Sequence, residues 1–157
     1  MPTAAARPLL LTLRSVGNWV NLSTPLGLLV AKAGQATVRR HLGGLFLAEG
    51  YRLRFPVAGA FTVGNVIITA STWDELQHRC PQLLDHEEAH TWQYLYCFGL
   101  PYYLAYSACL CWSWLRTGNL ASGNFFERQA GLDRGGYPSL PPRPLRTGLR
   151  SLLRPSV

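Results

Sequence analysis

Charge is scarce in this chain. Only 15% of its 157 residues are Asp, Glu, Lys or Arg, where an ordinary soluble domain carries about 25%, so the molecule either packs unusually densely or rests against lipid. Lysine is almost missing: Lys32 stands alone among fifteen basic residues, a bias toward arginine that fits a GC-rich bacterial genome and says nothing of function. Cysteine occurs only as Cys80, Cys97, Cys109 and Cys111, with no CxxC pair and no repeated spacing. That argues against a disulfide framework and a zinc knuckle and leaves reduced, partly buried thiols. The apolar run Leu9-Leu10-Leu11-Thr12-Leu13 is too short for a secretory signal core and is cut off by Arg14, so the expectation is a cytoplasmic protein. No internal repeat is visible.

The length corresponds to one domain with one core. A net charge of +7 suggests an anionic partner until it is divided along the chain. Five arginines lie after Asp133, and residues 1–133 carry ten basic and eight acidic groups. The basic character is mostly a property of the tail; it argues weakly for an anionic membrane surface and gives no expectation of nucleic-acid binding.

Ser23-Thr24-Pro25 reads as a helix start, with the helix running from Pro25 to about Ala33 and stopping at Gly34. Short strands are predicted over Ala36–Arg40 and Leu45–Ala48, joined across Gly43-Gly44, with a third over Tyr51–Pro56. After a flexible Val57-Ala58-Gly59, residues Phe61 to Thr69 read as one long strand interrupted by glycine, in preference to a hairpin turning at Gly64-Asn65. Thr72 and Glu75 form a capping box that opens a helix to about Arg79. A longer helix is predicted from Pro81 to about Phe98, ended by Gly99 and Pro101. Asn124 caps a last helix over Phe125 to about Ala130. From Gly131 on, Gly, Pro and Arg dominate; residues 134–157 are expected to be a flexible, loosely attached tail that the active site does not need. The fold class is α+β: a small N-terminal sheet, an active-site helix and C-terminal helices within residues 1–133.

The chemistry is concentrated in His86-Glu87-Glu88-Ala89-His90. Residues four apart share a helix face, so His86 and His90 can direct two imidazoles at one metal ion. Glu87 is rotated by about 100° from His86, which sets its carboxylate beside the metal, where a general base can take a proton from a zinc-bound water. The bland alternative is a polar helix face with two solvated histidines. It fits poorly with Trp92, Leu95 and the apolar run that follow, because polar groups in an apolar setting are costly without a shared purpose. Glu88 points about 200° from His86 and faces solvent or the capping region. Gln93, three residues after His90 on the same face, reads equally as a hydrogen-bond partner of a ligand or as an ordinary core-edge amide. Cys97 lies roughly 10 Å along the axis from His90, too far to join the site.

Two histidines need a third ligand. Glu127, Asp133, His41, His78 and Glu49 are the candidates. Glu127 stands out because it lies on the short capped helix, where the small Ala130 leaves room for two helices to approach.

The order of strand, HExxH-containing helix with Gln93, apolar connection and Asn124-x-x-Glu127-x-x-Ala130 resembles the small gluzincin-type zincin metallopeptidases. It is especially similar to compact bacterial zincin-like domains, in which a strand like Ala60-Phe61-Thr62-Val63-Gly64-Asn65-Val66-Ile67 precedes the motif. The resemblance spans about residues 58–131. It implies His86, His90 and Glu127 as ligands of Zn2+, Glu87 as the catalytic base, and a cleft edge at residues 61–67 where a peptide or protein substrate pairs as an added strand. The pattern departs from that family in its apolar connection and in the lack of an obvious His or Tyr to stabilise an oxyanion.

Residues 91–115 contain no charged side chain. A stretch that long can span a bilayer, which takes about 20 apolar residues. Gly99 and Pro101 interrupt it, however, and a straight span would strand Glu127 some 30 Å from His90. The expectation is that the segment folds back, with residues 102–115 packed on the active helix or lying in a membrane interface. Three functions follow: a zinc-dependent hydrolase acting on peptides, a zincin-like interaction module without turnover, and a membrane-surface lipid-binding protein.

Overall fold

The computed structural model describes residues 6–54, 56 and 59–152. Among them are seven helices and a four-stranded mixed sheet, so the fold is α+β. The chain opens with α1 (Ala6–Val20), which the sequence reading did not anticipate, and α2 (Ser23–Ala33). Strands β1 (Thr37–Arg40) and β2 (Phe46–Glu49) pair antiparallel around a short turn at Leu42–Gly44. Then β3 (Ala60–Val63) and β4 (Val66–Thr69) form a hairpin, with β4 parallel to β2. The spatial order is β1-β2-β4-β3, which leaves β3 at an edge.

The single long strand expected over residues 61–69 is therefore wrong. Gly64 takes φ +62° and the chain reverses within two residues, pairing Val63 with Val66 and Thr62 with Ile67. A side chain at Gly64 would meet the backbone of Ser23 and Thr24 at 2.4 Å, so the turn needs glycine both for its dihedral and for the approach of α2. Asn65 is fully buried: it accepts from Asn18 at 2.8 Å and donates to the Ser15 carbonyl, while its backbone N–H donates to the Thr24 hydroxyl. The hydroxyls expected to cap α2 serve elsewhere, Ser23 donating toward Asn18 and Asn21. The third strand expected over Tyr51–Pro56 does not form among its described residues; Phe55, Val57 and Ala58 lie outside them.

All four β4 side chains are buried because both faces of the sheet are covered. Leu47 and Ile67 pack with Trp73, Leu76 and Leu83 on one side, and Ala48, Val66 and Ile68 with Ala31 and Tyr51 on the other. The first side is closed by α3 (Trp73–Arg79), opened by the expected Thr72/Glu75 capping box, and by α4 (Leu83–Tyr96). The chain then reverses through residues 97–100 into α5 (Pro101–Thr117). No described helix is long and apolar enough to cross a membrane. Asn124 caps α6 (Phe125–Ala130), accepting from the Phe126 N–H. The four cysteines are free; Cys80, Cys97 and Cys109 are partly buried and Cys111 is exposed.

The segment after Asp133 is not the loose tail that its composition suggested. Its described residues lie against the domain and end in α7 (Leu145–Leu152). Arg143 explains the docking. Its guanidinium donates to the carbonyls of Trp114 and Leu115, and its N–H to that of Arg116. Trp114 also accepts from the Gly118 N–H, so what Arg143 serves at the end of α5 is chiefly the Leu115 and Arg116 carbonyls.

Candidate metal centre

His86, Glu87, His90 and Gln93 all sit on the buried side of α4, each less than a tenth exposed. The two imidazoles bring their Nε2 atoms within 3.2 Å of each other. From α6, which packs across α4, Glu127 directs its buried carboxylate at both: Oε2 lies 3.2 Å from His86 Nε2 and Oε1 lies 3.7 Å from His90 Nε2. The donor atoms of the three residues fall within 4.8 Å of one another, an arrangement able to hold a metal ion. Of the other third-ligand candidates none joins them. Glu49 pairs with Arg39 and accepts from the Trp73 N–H. His41 lines a separate cavity with Ser15 and Trp19. His78 and Asp133 are exposed.

Outer contacts fix which nitrogen of each imidazole faces the centre. His86 Nδ1 donates to the Gly131 carbonyl at 2.9 Å, and His90 Nδ1 to Gln93 Oε1 at 2.7 Å. The Gln93 amide is itself oriented, because its NH2 donates to the Phe126 carbonyl and to Gln129 Oε1, so its oxygen must face His90. The Tyr102 hydroxyl donates to the same oxygen, and Tyr106 donates to Glu127 Oε1. Both Nε2 lone pairs are left directed inward beside a carboxylate whose Oε2 is buried without a hydrogen-bond donor.

The electrostatics agree with a site built for positive charge. Burial disfavours the charged form of His86, but its contact with Glu127 and the charges of Glu87 and Glu127 outweigh this and raise its pKa. Burial likewise pushes the Glu127 carboxyl up, yet His86, His90 and Tyr106 together hold it below its ordinary value. A proton on His86 can be given to only one acceptor; a metal ion accepts from all three.

Glu87 stands beside this group. The Thr62 hydroxyl of β3 lies 2.7 Å from its Oε2, so the edge strand aims the carboxylate. Glu87 opens onto a cavity of about 300 Å³ whose walls include Ala60, Leu76, Leu83 and Tyr137. Of the cleft edge expected at residues 61–67, only the β3 part is an edge; β4 is interior.

Three participants escaped the sequence reading. Tyr137, set aside with the tail, places its ring centroid 5.7 Å from that of His86. Burial, then the charges of Glu127 and Glu87, push its phenol well above the ordinary range, so it stays a neutral donor. Gly135 crosses so close to His86 that an added Cβ would lie 2.6 Å from Cε1. Arg14 is fully buried and donates to Glu88 at 2.5 Å and to the Gly43 carbonyl at 2.6 Å. Glu88, expected to face solvent or the capping region, is about one-third exposed and also ties α4 to α1. A glycine pair followed by tyrosine was the signal available for the first two.

No family profile matches the chain, and none is found among characterised proteins or solved structures.

Proposed function

We propose that this protein is a zinc-dependent hydrolase of peptide bonds, similar in plan to the compact gluzincins, with His86, His90 and Glu127 as zinc ligands and Glu87 as general base. The observation that carries this reading is the convergence of two inward Nε2 atoms and a buried carboxylate next to a second carboxylate facing a cavity. Two imidazole nitrogens about 2.05 Å from one tetrahedral zinc lie about 3.3 Å apart, close to the 3.2 Å between His86 and His90. Zinc, when bound, supplies Lewis acidity and lowers the pKa of a coordinated water toward 7.

The chain's own residues supply the rest. Glu87, held by Thr62, accepts the proton of the attacking water and passes it to the leaving amine. Tyr137, a neutral phenol on the same cavity, is the donor available to the developing oxyanion. Strand β3 stands at the edge of the sheet, where an extended peptide would add as a further strand. Glu87 also favours turnover over a purely structural site, since two histidines and Glu127 bind a metal without it.

Elemental analysis of the purified protein tests the ligand set, with close to one zinc per chain expected. Glu87→Gln tests the base: it retains the metal and loses peptide hydrolysis. A protein that neither contains nor takes up zinc ends this reading, and wild-type turnover by Glu87→Gln removes Glu87 from it.

A further inference from the structure

Helix α1 is turned inside out. Its fully buried positions are Arg14 and Asn18, while Leu9, Leu13, Val16 and Val20, which share one helix face, are each more than half exposed. The helix cannot roll to hide them, because Arg14 is bonded to Glu88 and Asn18 to Asn65 and the Thr91 carbonyl.

The pattern continues past the end of α1. There the chain packs on the start of α5, with Gly99 so close to Asn21 that a Cβ would meet its carbonyl oxygen at 2.6 Å. Flanking this contact are Leu22 at φ +66° and Phe98 at φ +57°, a left-handed conformation that is unfavourable for bulky residues. Both hold their side chains out, Phe98 at 80% exposure. The left-handed turns themselves serve helix ends, Phe98 letting the Gly99 N–H donate to the Tyr94 carbonyl and Leu22 capping α2, but neither position needs a large apolar side chain for that. Leu104 and Trp112 extend the exposed apolar surface along α5, beside α7 with its exposed Arg146 and Arg150.

Charge selects the occupant. All eight acidic residues fall within residues 49–88 and 127–133. Helices α1, α2, α5 and α7 carry no acidic side chain, and their exposed described charges, Lys32, Arg146 and Arg150, are all basic, so two copies apposed through the α5 and α7 side would bring like charge together. We propose that the outward faces of α1 and α5, with the Leu22 and Phe98 corner between them, seat the protein on the surface of an anionic lipid bilayer. The apolar side chains enter the interface and the arginines of α7 meet the headgroups.

The test is flotation of the full-length protein with vesicles of phosphatidylcholine alone, or of phosphatidylcholine with an equal part of phosphatidylglycerol. The protein is expected to float with the anionic vesicles, and less so as salt is raised. Asparagine tolerates a left-handed backbone, so Leu22→Asn/Phe98→Asn keeps or improves the fold while removing two inserted side chains. Its vesicle affinity is expected to fall by about tenfold per side chain, with the unfolding transition no lower than that of wild type. Val16→Gln, on an independent part of the face, is expected to weaken binding as well. Wild-type protein that stays unbound with anionic vesicles overturns the proposal, as does undiminished binding by both variants. A wild-type dimer that the double variant dissolves, with no flotation, assigns the face to self-association instead. None of these readouts depends on zinc or hydrolysis.

Discussion

His90 donates its Nδ1 proton to Gln93 Oε1 across 2.7 Å, one turn along the same helix. That bond keeps Nε2 unprotonated and directed at His86 and Glu127. Gln93→Leu retains the volume but removes the acceptor of the His90 N–H, leaving it only the more distant Tyr102 hydroxyl at 3.3 Å. Zinc affinity is expected to drop 10- to 100-fold, the usual consequence of losing a contact that orients a ligand, with zinc still bound at saturation. Competition against a chromophoric chelator measures it, and an unchanged affinity would mean that Gln93 only packs.

Glu127 acts differently because it is proposed as a ligand. Its buried Oε2 has, among the described residues, only His86 Nε2 beside it, at 3.2 Å, a placement suited to a cation shared between them. Glu127→Ala is expected to lose zinc about as severely as His90→Ala, well beyond the loss in Gln93→Leu, whereas exposed Asp133→Ala retains it. Zinc uptake by each variant decides the order. A mild effect at Glu127 would leave a two-histidine site and remove the gluzincin assignment.

The legible part of this protein was the part governed by local rules. The capping box at Thr72 and Glu75, the Asn124 cap and the i, i+4 histidines need only sequence neighbours, and the structure contains all three. The hairpin was passed over because too few residues precede the turn to suggest a separate partner strand; β3 is only four residues long, and its pairing with β4 is held by burial that those few residues do not reveal. Helix α1 was lost because Leu9, Leu10 and Leu13 point outward and Arg14 inward, the reverse of the usual amphipathic pattern. Tyr137 was lost because Gly, Pro and Arg were read as disorder; the tail is held by hydrogen bonds from Arg143 to carbonyls 27 to 29 positions earlier, and composition does not encode that.

Arg14 offers a test of how α1 is anchored. Its side chain is fully buried, and its partner Glu88 is about one-third exposed. Removing the arginine strands the Gly43 carbonyl and opens a gap beside Trp92, over which the guanidinium is stacked. Arg14→Ala is expected to cost about 3 kcal/mol, the low end for breaking a buried pair because Glu88 can turn to water. Chemical denaturation monitored by far-ultraviolet circular dichroism gives the value. A loss below about 1 kcal/mol would place the pair among ordinary surface contacts.

Tyr137 separates metal binding from chemistry. The sequence expectation was that everything after Asp133 is dispensable to the active site, yet this residue shares the cavity of Glu87 and lies against His86. Burial and the neighbouring carboxylates keep its phenol protonated, so throughout the neutral range it can donate a hydrogen bond but not serve as a base. Tyr137→Phe deletes only that donor and keeps the ring against His86. The variant is expected to bind zinc as the wild type does, to retain KM within a few-fold, and to lose about 10²- to 10³-fold in kcat, the usual effect of removing one oxyanion donor. Steady-state kinetics on a peptide that the wild type cleaves, with zinc content measured on the same samples, checks each part. A fall in zinc content would make Tyr137 a structural cover for His86, and an unchanged kcat would exclude it from transition-state stabilisation. Because the phenol stays protonated across the working range, Tyr137→Phe is expected to lower the pH–rate profile uniformly without moving either limb.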